Sequence, residues 1–348
     1  LVVLPEHKMA VAVLSSGGVS TYNQMAAERI LVDALAAKGI AVDETLPTLP
    51  AAKPAPMPKK LTENSGYYGA TTQQMKITVT EDGKLSIHSL TVPTMPDQIF
   101  SYCDDGSFRD PTGATMLKFV TEKNGETYIW QKAYGNLPGL GLLPVSNYLC
   151  QKLPENKLDD ATQKTWDALF TMSVALLNET YTSQVYPTLL TPPAVIPEYA
   201  PGYLGAMKLL DATHGQFALQ IPGNAGRDGQ DVTVYQQDGT TYMNVQGSLF
   251  ADAAAVPAIH TGSGAYCTVQ PNGYARWYQI APGDVGKTMT VTLPENSGFY
   301  VYDNTGAVIF SSVLYGDKTA VLPADGAIVF AGAADARFHL SFAPAPQA

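Results

Sequence analysis

Residues 75–87 read MKITVTEDGKLSI. The apolar residues at 75, 77 and 79 alternate with polar ones, which is the period of a strand with one buried face. Turn-forming residues follow at 81–84, and the alternation resumes at 85–87. This pattern predicts an antiparallel β-hairpin that packs on a core.

Similar patterns recur along the chain. Residues 116–121 and 126–132 predict a second hairpin that turns at Asn124-Gly125. The last third of the chain alternates short apolar runs with turns rich in Gly and Asp, which is typical of a sandwich or a closed barrel. The strands predicted there are 216–221, 232–235, 242–245, 274–280, 288–293, 299–302, 307–311 and 327–330.

Two segments have a different period. Trp166, Leu169, Phe170, Val174 and Leu177 recur at helical spacing and predict an amphipathic helix within 157–180, with Asp159 and Asp160 at its start. Proline-rich segments at 44–60 and at 187–201 predict stiff connectors. The sequence is therefore divided as 1–43 (terminal strands and helix), 44–62 (linker), 63–155 (first β module), 156–201 (helix and connector) and 202–345 (second β module).

The first 40 residues predict strand, strand and helix. Apolar runs at 1–4 and 9–14 flank a turn, and a helix stops at Gly39. Such a small group of elements buries too little surface to fold alone. We expect either that it packs on the rest of this chain or that its own domain lies upstream. The predicted fold class is mainly β: two antiparallel barrel or sandwich modules, this strand–strand–helix remnant and one linking helix.

Composition excludes several classes of function. The chain has 348 residues, 45% of them hydrophobic and 15% charged, with a net charge of −10. That acidity disfavours nucleic acid as a partner. No run of 18 apolar residues is present, so we expect no transmembrane segment, and no signal peptide is visible.

Cysteine and histidine spacing indicates no cofactor and no metal. The five histidines include no pair at i, i+2 or i, i+4. Cys103, Cys150 and Cys267 are far apart. A Cys103–Cys150 disulfide and free thiols remain equally compatible with the sequence.

Part of the sequence resembles a known family. Pro5-Glu6, Met9–Ser16 and the helix Thr21–Lys38 resemble the end of a serine β-lactamase-like domain of the penicillin-binding-protein type. Residues 67–69, 76–79 and 82–85 look like the lipocalin-like β-barrel module appended to many such hydrolases. Residues 222–223, 226–229, 275–278 and 301–303 look like a second appended β module.

The catalytic boxes of that family are S-x-x-K, then Y-x-N or S-x-N, then K-T-G or H-T-G. No S-x-x-K occurs in the chain. Tyr242-Met243-Asn244 and His260-Thr261-Gly262 fit the other two boxes, but they follow the segment that the third box precedes in the family. We interpret both as chance matches and predict no catalytic residue in this chain.

The resemblance implies a non-catalytic accessory region of an exported serine hydrolase related to β-lactamases and D-Ala-D-Ala carboxypeptidases. Its partner would be an upstream hydrolase domain of the same protein, in the cell envelope or outside the cell. The alternative is an extracellular glycan- or peptide-binding β module. Candidate ligand-binding residues are Arg276, Trp277, Tyr278, Tyr300 and Tyr302, because aromatic rings offer broad apolar contact and Arg276 could stack on Trp277. Plain core packing of a β module is the simpler interpretation of the aromatic residues, and we favour it.

Overall fold

In the computed structural model, the stretch at 75–87 forms two antiparallel strands in which Ile77 pairs with Ile87. The structure describes residues 1–15, 20–45, 47–179, 181, 189–192, 198–226 and 231–344. Two units form, each mainly β and antiparallel, which confirms the predicted fold class. The first is Leu1–Pro154 with Glu198–Ala200 and Leu219–Arg227, and the second is Glu155–Pro197 with Pro201–Ala218 and Asp228–Ala348. The prolines at 187, 193 and 197 and the turn residues 227–229 lie outside the described residues.

The predicted strand–strand–helix segment is present in the first unit. β1 (Val2–Leu4) pairs antiparallel with β2 (Met9–Val11), and α1 (Ser20–Ala37) follows. Gly39 has φ +74°, and its N–H donates to Ala36 O while the N–H of Ile40 donates to Leu35 O. This pair of bonds caps the last carbonyl groups of the helix, as the glycine in the sequence predicts.

Eight strands close into an antiparallel barrel. Each strand pairs with its neighbours along the chain, and the last closes the ring by pairing with the first. The hairpin predicted to turn at Asn124-Gly125 is confirmed as β8–β9. The strands are β3 (Gly66–Gly69), β4 (Gln74–Val79), β5 (Lys84–Ser89), β6 (Gln98–Tyr102), β7 (Phe108–Arg109), β8 (Thr115–Thr121), β9 (Thr127–Leu137) and β10 (Gly141–Lys152).

Side chains fill the interior of the barrel. An eight-stranded barrel is just wide enough for that. Phe108 lies edge-on to Phe119 with ring centroids 5.8 Å apart. The inward residues form one apolar cluster that includes Tyr68, Ile77, Leu85, Phe108, Leu117, Ile129 and Cys150.

Segments outside the barrel strands also pack on it. α1 lies against β10 and buries Met25, Leu31 and Leu35. The proline-rich linker is extended, as predicted, but it is bound to the barrel: Asp104 N donates to Lys53 O at 2.9 Å, and Pro54 forms a β-bridge with Cys103. A later segment returns to the same unit, where Tyr128 Oη donates to Gln220 O at 2.6 Å.

The second unit opens with α2 (Asp160–Phe170). Asp159 caps it by accepting from the N–H groups of Ala161 and Thr162, which confirms the predicted start. The predicted extension to residue 180 is wrong. Val174 pairs instead with the strand at 248–252, because that pairing satisfies the backbone and buries side chains on both faces.

An eight-stranded antiparallel sheet, here called the long sheet, follows α2. α2 covers one face of it, where the fully buried Trp166 packs near Leu209, Val232 and Val234. The strands lie in the order β12-β11-β18-β17-β16-β15-β14-β13. They are β11 (Val174–Leu176), β12 (Leu189–Leu190), β13 (Tyr203–Leu204), β14 (Met207–Leu209), β15 (His214–Phe217), β16 (Val232–Gln237), β17 (Thr240–Val245) and β18 (Ser248–Asp252).

The remaining strands form a sandwich of two four-stranded sheets, β19-β26-β21-β24 and β20-β25-β22-β23. Numbered from one within the sandwich, these orders are 1-8-3-6 and 2-7-4-5, the connectivity of a jelly roll. The elements are β19 (Tyr266–Thr268), β20 (Arg276–Gln279), β21 (Thr288–Thr292), β22 (Gly298–Tyr302), β23 (Val308–Ser311), α3 (Ser312–Tyr315), β24 (Thr319–Val321), β25 (Ala327–Ala331) and β26 (Arg337–Ala343).

The sheet that contains β20 and β22 is buried on both faces. Phe299, Val301 and Phe330 point into the sandwich core, and Trp277 and Tyr300 point into a second cluster. That second cluster includes Ala175 of β11, so the jelly roll packs on the face of the long sheet opposite α2. Alternation of side chains along each strand produces the two buried faces.

Candidate functional site

Three of the five predicted ligand-binding residues are core residues. Trp277, Tyr300 and Tyr302 have 4%, 0% and 2% of their surface exposed. The rings of Trp277 and Tyr302 have centroids 5.3 Å apart, and Trp277 Nε1 donates to Leu176 O at 2.8 Å. Burial raises the pKa of Tyr302 strongly, and the neighbouring Tyr300 adds to this effect. These rings join the jelly roll to the long sheet.

The other two predicted residues lie on the opposite face of β20. Tyr278 Oη donates to Cys267 Sγ at 3.5 Å. Burial raises the pKa of Tyr278 to about 12, and a hydrogen bond from the Arg276 side chain opposes that shift. Burial also raises the pKa of the Cys267 thiol.

A cavity of about 290 Å³ lies beside Trp277 in the second unit. Its apolar wall includes Leu177, Val256 and Ala275, and two further aromatic residues, Tyr242 and Tyr274, line it. We call it the Tyr242 cavity. Arg276 and Trp277 both line this cavity, whereas Tyr278, Tyr300 and Tyr302 do not. A ligand-binding role for the five residues stays a prediction.

The register of the long sheet positions Tyr242. Tyr242 of β17 lies directly opposite Tyr235 of β16, and their rings stack with centroids 5.2 Å apart and planes 13° from parallel. On its other side Tyr242 pairs with Ala251 of β18, whose short side chain leaves space. Cross-strand stacking of this kind holds both rings in fixed orientations.

Polar groups surround the same cavity. Asp252 Oδ1 accepts from Ala254 N at 2.8 Å, and Asn272 Oδ1 accepts from Tyr274 N at 3.0 Å. Within the described residues, no partner is found for Asp252 Oδ2, Asn272 Nδ2 or the Thr240 hydroxyl. The cavity therefore offers an acceptor, a donor and a hydroxyl around an aromatic ring.

The sequence did not predict that Tyr242, Asp252, Asn272 and Tyr274 line a cavity. One signal was available for Tyr242. A hairpin with a two-residue turn at Asp238-Gly239 places Tyr235 and Tyr242 opposite each other, and two tyrosines in that relation predict an aromatic surface. Asp252 and Asn272 had no such signal, because only tertiary packing brings them to the cavity.

A larger cavity, about 560 Å³, lies in the first unit between the proline-rich linker and the barrel. Its charged lining residues, Arg109 and Asp110, both have hydrogen-bond partners. Arg109 donates to Asp105 at 2.6 Å and to Ser107 at 2.8 Å, and only 7% of its surface is exposed. Burial acts to raise the pKa of Asp105, but hydrogen bonds from Ser107 and Arg109 outweigh it and lower that pKa to about 2. This arrangement braces the β6–β7 corner.

The two motifs that fit hydrolase boxes have structural partners. Asn244 Oδ1 accepts from Gly247 N at 3.0 Å, in the turn between β17 and β18. Thr261 donates to Asp284 at 2.7 Å, and Lys287 Nζ lies 2.6 Å from the same carboxylate. The hydrogen bond from Lys287 lowers the pKa of Asp284. Both motifs therefore stabilise turns of the second unit.

Metal-binding geometry is not found in the part of the chain that the structure describes, where no three His, Cys, Asp or Glu side chains cluster. All three cysteines are buried free thiols, so the Cys103–Cys150 disulfide is not formed. No helix among the described residues has the length and apolar character needed to cross a membrane.

Comparisons of the chain with protein-family models, with curated proteins and with solved structures found no match.

Proposed function

We propose that this chain is a non-catalytic accessory region of an exported serine hydrolase of the β-lactamase and penicillin-binding-protein class. The observation that carries the proposal is the β1–β2 hairpin. Both of its faces are apolar, and among the described residues neither of its outer edges pairs with a further strand. Val3 is 53% exposed although it belongs to a continuous apolar run.

Such a run is typical of a strand that is covered on both faces within a larger sheet. α1 covers only one face of the hairpin. An additional sheet edge would pair the free backbone groups, and a layer packed on the uncovered face of the hairpin would bury Val3 and Ala10. The hydrolase domain that the resemblance implies would supply that edge, and the two β units would support or position it. Cell-wall peptides are the substrate class that the same resemblance suggests for the whole protein.

A fluorescent penicillin tests the absence of catalysis. Because the chain contains no S-x-x-K, we expect no covalent labelling after incubation and denaturing electrophoresis. Labelling of the purified chain would overturn the proposal. The reading frame upstream of the codon for Leu1 tests the family: we expect it to encode S-x-x-K, Y-x-N and then K-T-G or H-T-G, and a frame without these boxes would contradict it.

A second candidate function is recognition of an extracellular glycan or peptide by the second unit. The Tyr242 cavity favours it, because a concave apolar surface with a few convergent polar groups is typical of ligand sites. Binding to insoluble peptidoglycan in a sedimentation assay is the test. Loss of binding in Tyr242→Ala would support this function, whereas no binding by the intact chain would rule it out. Tyr300→Ala and Trp277→Ala are poor probes because both rings are core residues.

A further inference from the structure

The size and the polar groups of the Tyr242 cavity limit the class of ligand that it can bind. We propose that it binds one pyranose ring, with Tyr242 as the stacking surface. This inference rests on the second candidate function and deepens it by naming the ligand class and the residues that contact it.

Size limits the ligand to about one ring. The cavity volume of about 290 Å³ lies just below the usual range for ligand pockets, roughly 300–1,000 Å³. An extended peptide or an oligosaccharide does not fit inside such a space. A single sugar residue, free or at the end of a glycan chain, does.

Shape and polarity favour a sugar over a purely apolar molecule. A pyranose has a C–H face that packs on an aromatic ring and a rim of hydroxyl groups that both donate and accept hydrogen bonds. Tyr242 provides the ring, and its stacking on Tyr235 fixes the orientation before a ligand arrives. The cavity also offers a hydrogen-bond donor in Asn272 Nδ2 and an acceptor in Asp252 Oδ2. The Thr240 hydroxyl can both donate and accept.

Both signs of charge lie on the cavity wall, because Asp252 and Arg276 both line it. Ring stacking and hydrogen bonding, rather than net charge, therefore define the ligand class.

Isothermal titration calorimetry of the full chain tests the proposal with two probes: methyl β-D-glucopyranoside and N-acetyl-D-glucosamine. We expect millimolar binding of at least one of them. No binding of either sugar at about 100-fold excess over the protein would overturn the inference.

Substitutions of the cavity residues test whether the sugar binds at the Tyr242 cavity. Tyr242→Ala should weaken binding about tenfold or more, while Tyr242→Phe keeps the ring and should stay within about threefold. Asp252→Asn keeps an acceptor for Ala254 N but replaces the charged acceptor at the cavity wall, so it should weaken sugar binding. Tyr266→Ala is the matched control, since this tyrosine is 54% exposed and belongs to a different sheet.

The outcomes separate this inference from the functions proposed above. If a folded Tyr242→Ala variant, checked by circular dichroism, still binds sugar like the parent chain, the inference fails. If that variant also still sediments with peptidoglycan, the second candidate function survives at another surface. Labelling by penicillin would contradict the accessory role alone and leave sugar binding unaffected.

Discussion

The indole Nε1 of Trp277 donates a 2.8 Å hydrogen bond to the backbone carbonyl of Leu176, 101 residues earlier in the chain. This contact joins the jelly roll to the long sheet inside one buried cluster. It also borders the Tyr242 cavity, which Trp277 lines. The wall of the candidate site is therefore part of the core of the unit.

Replacement of Trp277 by phenylalanine should destabilise the second unit. The variant loses the bond to Leu176 O and leaves a void where the larger ring was, so we expect the free energy of unfolding to fall by about 2–3 kcal/mol. Urea denaturation followed by circular dichroism measures this change. Tyr266→Phe, at an exposed position, should change stability by less than about 0.5 kcal/mol. Equal stability of the two variants would contradict the role of the Trp277 bond.

The three cysteines should behave as buried thiols. Burial raises the pKa of the Cys150 thiol far above its ordinary value, so the reactive thiolate is scarce in the folded chain. A colorimetric thiol reagent should react slowly with the native protein and should detect three thiols after denaturation without reductant. Detection of a single thiol after denaturation would mean that a disulfide exists.

Acid should weaken the first unit through Asp105. Its folded-state pKa of about 2 lies below the ordinary 3.8, so protons bind the unfolded chain more readily. The stability that this group contributes is fully present above about pH 4 and is lost as the pH falls towards 2.

Asp105→Asn should therefore flatten the dependence of unfolding free energy on pH between about 4 and 2. It should also lower stability at neutral pH by about 2 kcal/mol, because the buried Arg109 loses its carboxylate partner. Denaturant titrations at several pH values measure both effects. Asp104→Asn removes a neighbouring carboxylate that does not pair with Arg109 and is the control for the change in net charge. An unchanged slope in Asp105→Asn would contradict the assignment.

Gly202 should not tolerate a side chain. It has φ +76°, and a Cβ added there would lie 2.2 Å from the backbone oxygen of Asn156. Asn156 is held by hydrogen bonds from its amide to Gly202 O and Leu209 O, so it has little freedom to move away. We expect Gly202→Ala to cost at least about 3 kcal/mol.

Gly239→Ala separates backbone strain from the clash. Gly239 has φ +80° but no atom within 4 Å of an added Cβ, so we expect a cost of about 1 kcal/mol from the left-handed backbone alone. Thermal unfolding of the two variants gives the comparison. Similar midpoints would show that the Asn156 contact relaxes.

The spacing of apolar residues was sufficient to predict a strand or helix where that element buries one of its faces. Residues 75–87, the hairpin at Asn124-Gly125 and the helix that ends before Gly39 are examples. Prediction failed where pairing with distant strands overrode local spacing. Val174 is at a helical position relative to Trp166, yet it joins β11 because β18 offers a complete set of backbone partners. β26 was not predicted at all, although Phe338 and Leu340 alternate with exposed residues.

The sequence by itself determined the class of fold, the turns and the absence of the S-x-x-K box, because each depends on residues close together in the chain. It also indicated the aromatic residues of β20 and β22 as candidates for ligand binding. Only the tertiary structure decided that Tyr300 and Tyr302 are buried, and that Tyr242, Asp252 and Asn272 meet at one cavity. The reason is physical: a β-strand has two faces, and which of them meets solvent depends on sheets formed by distant parts of the chain.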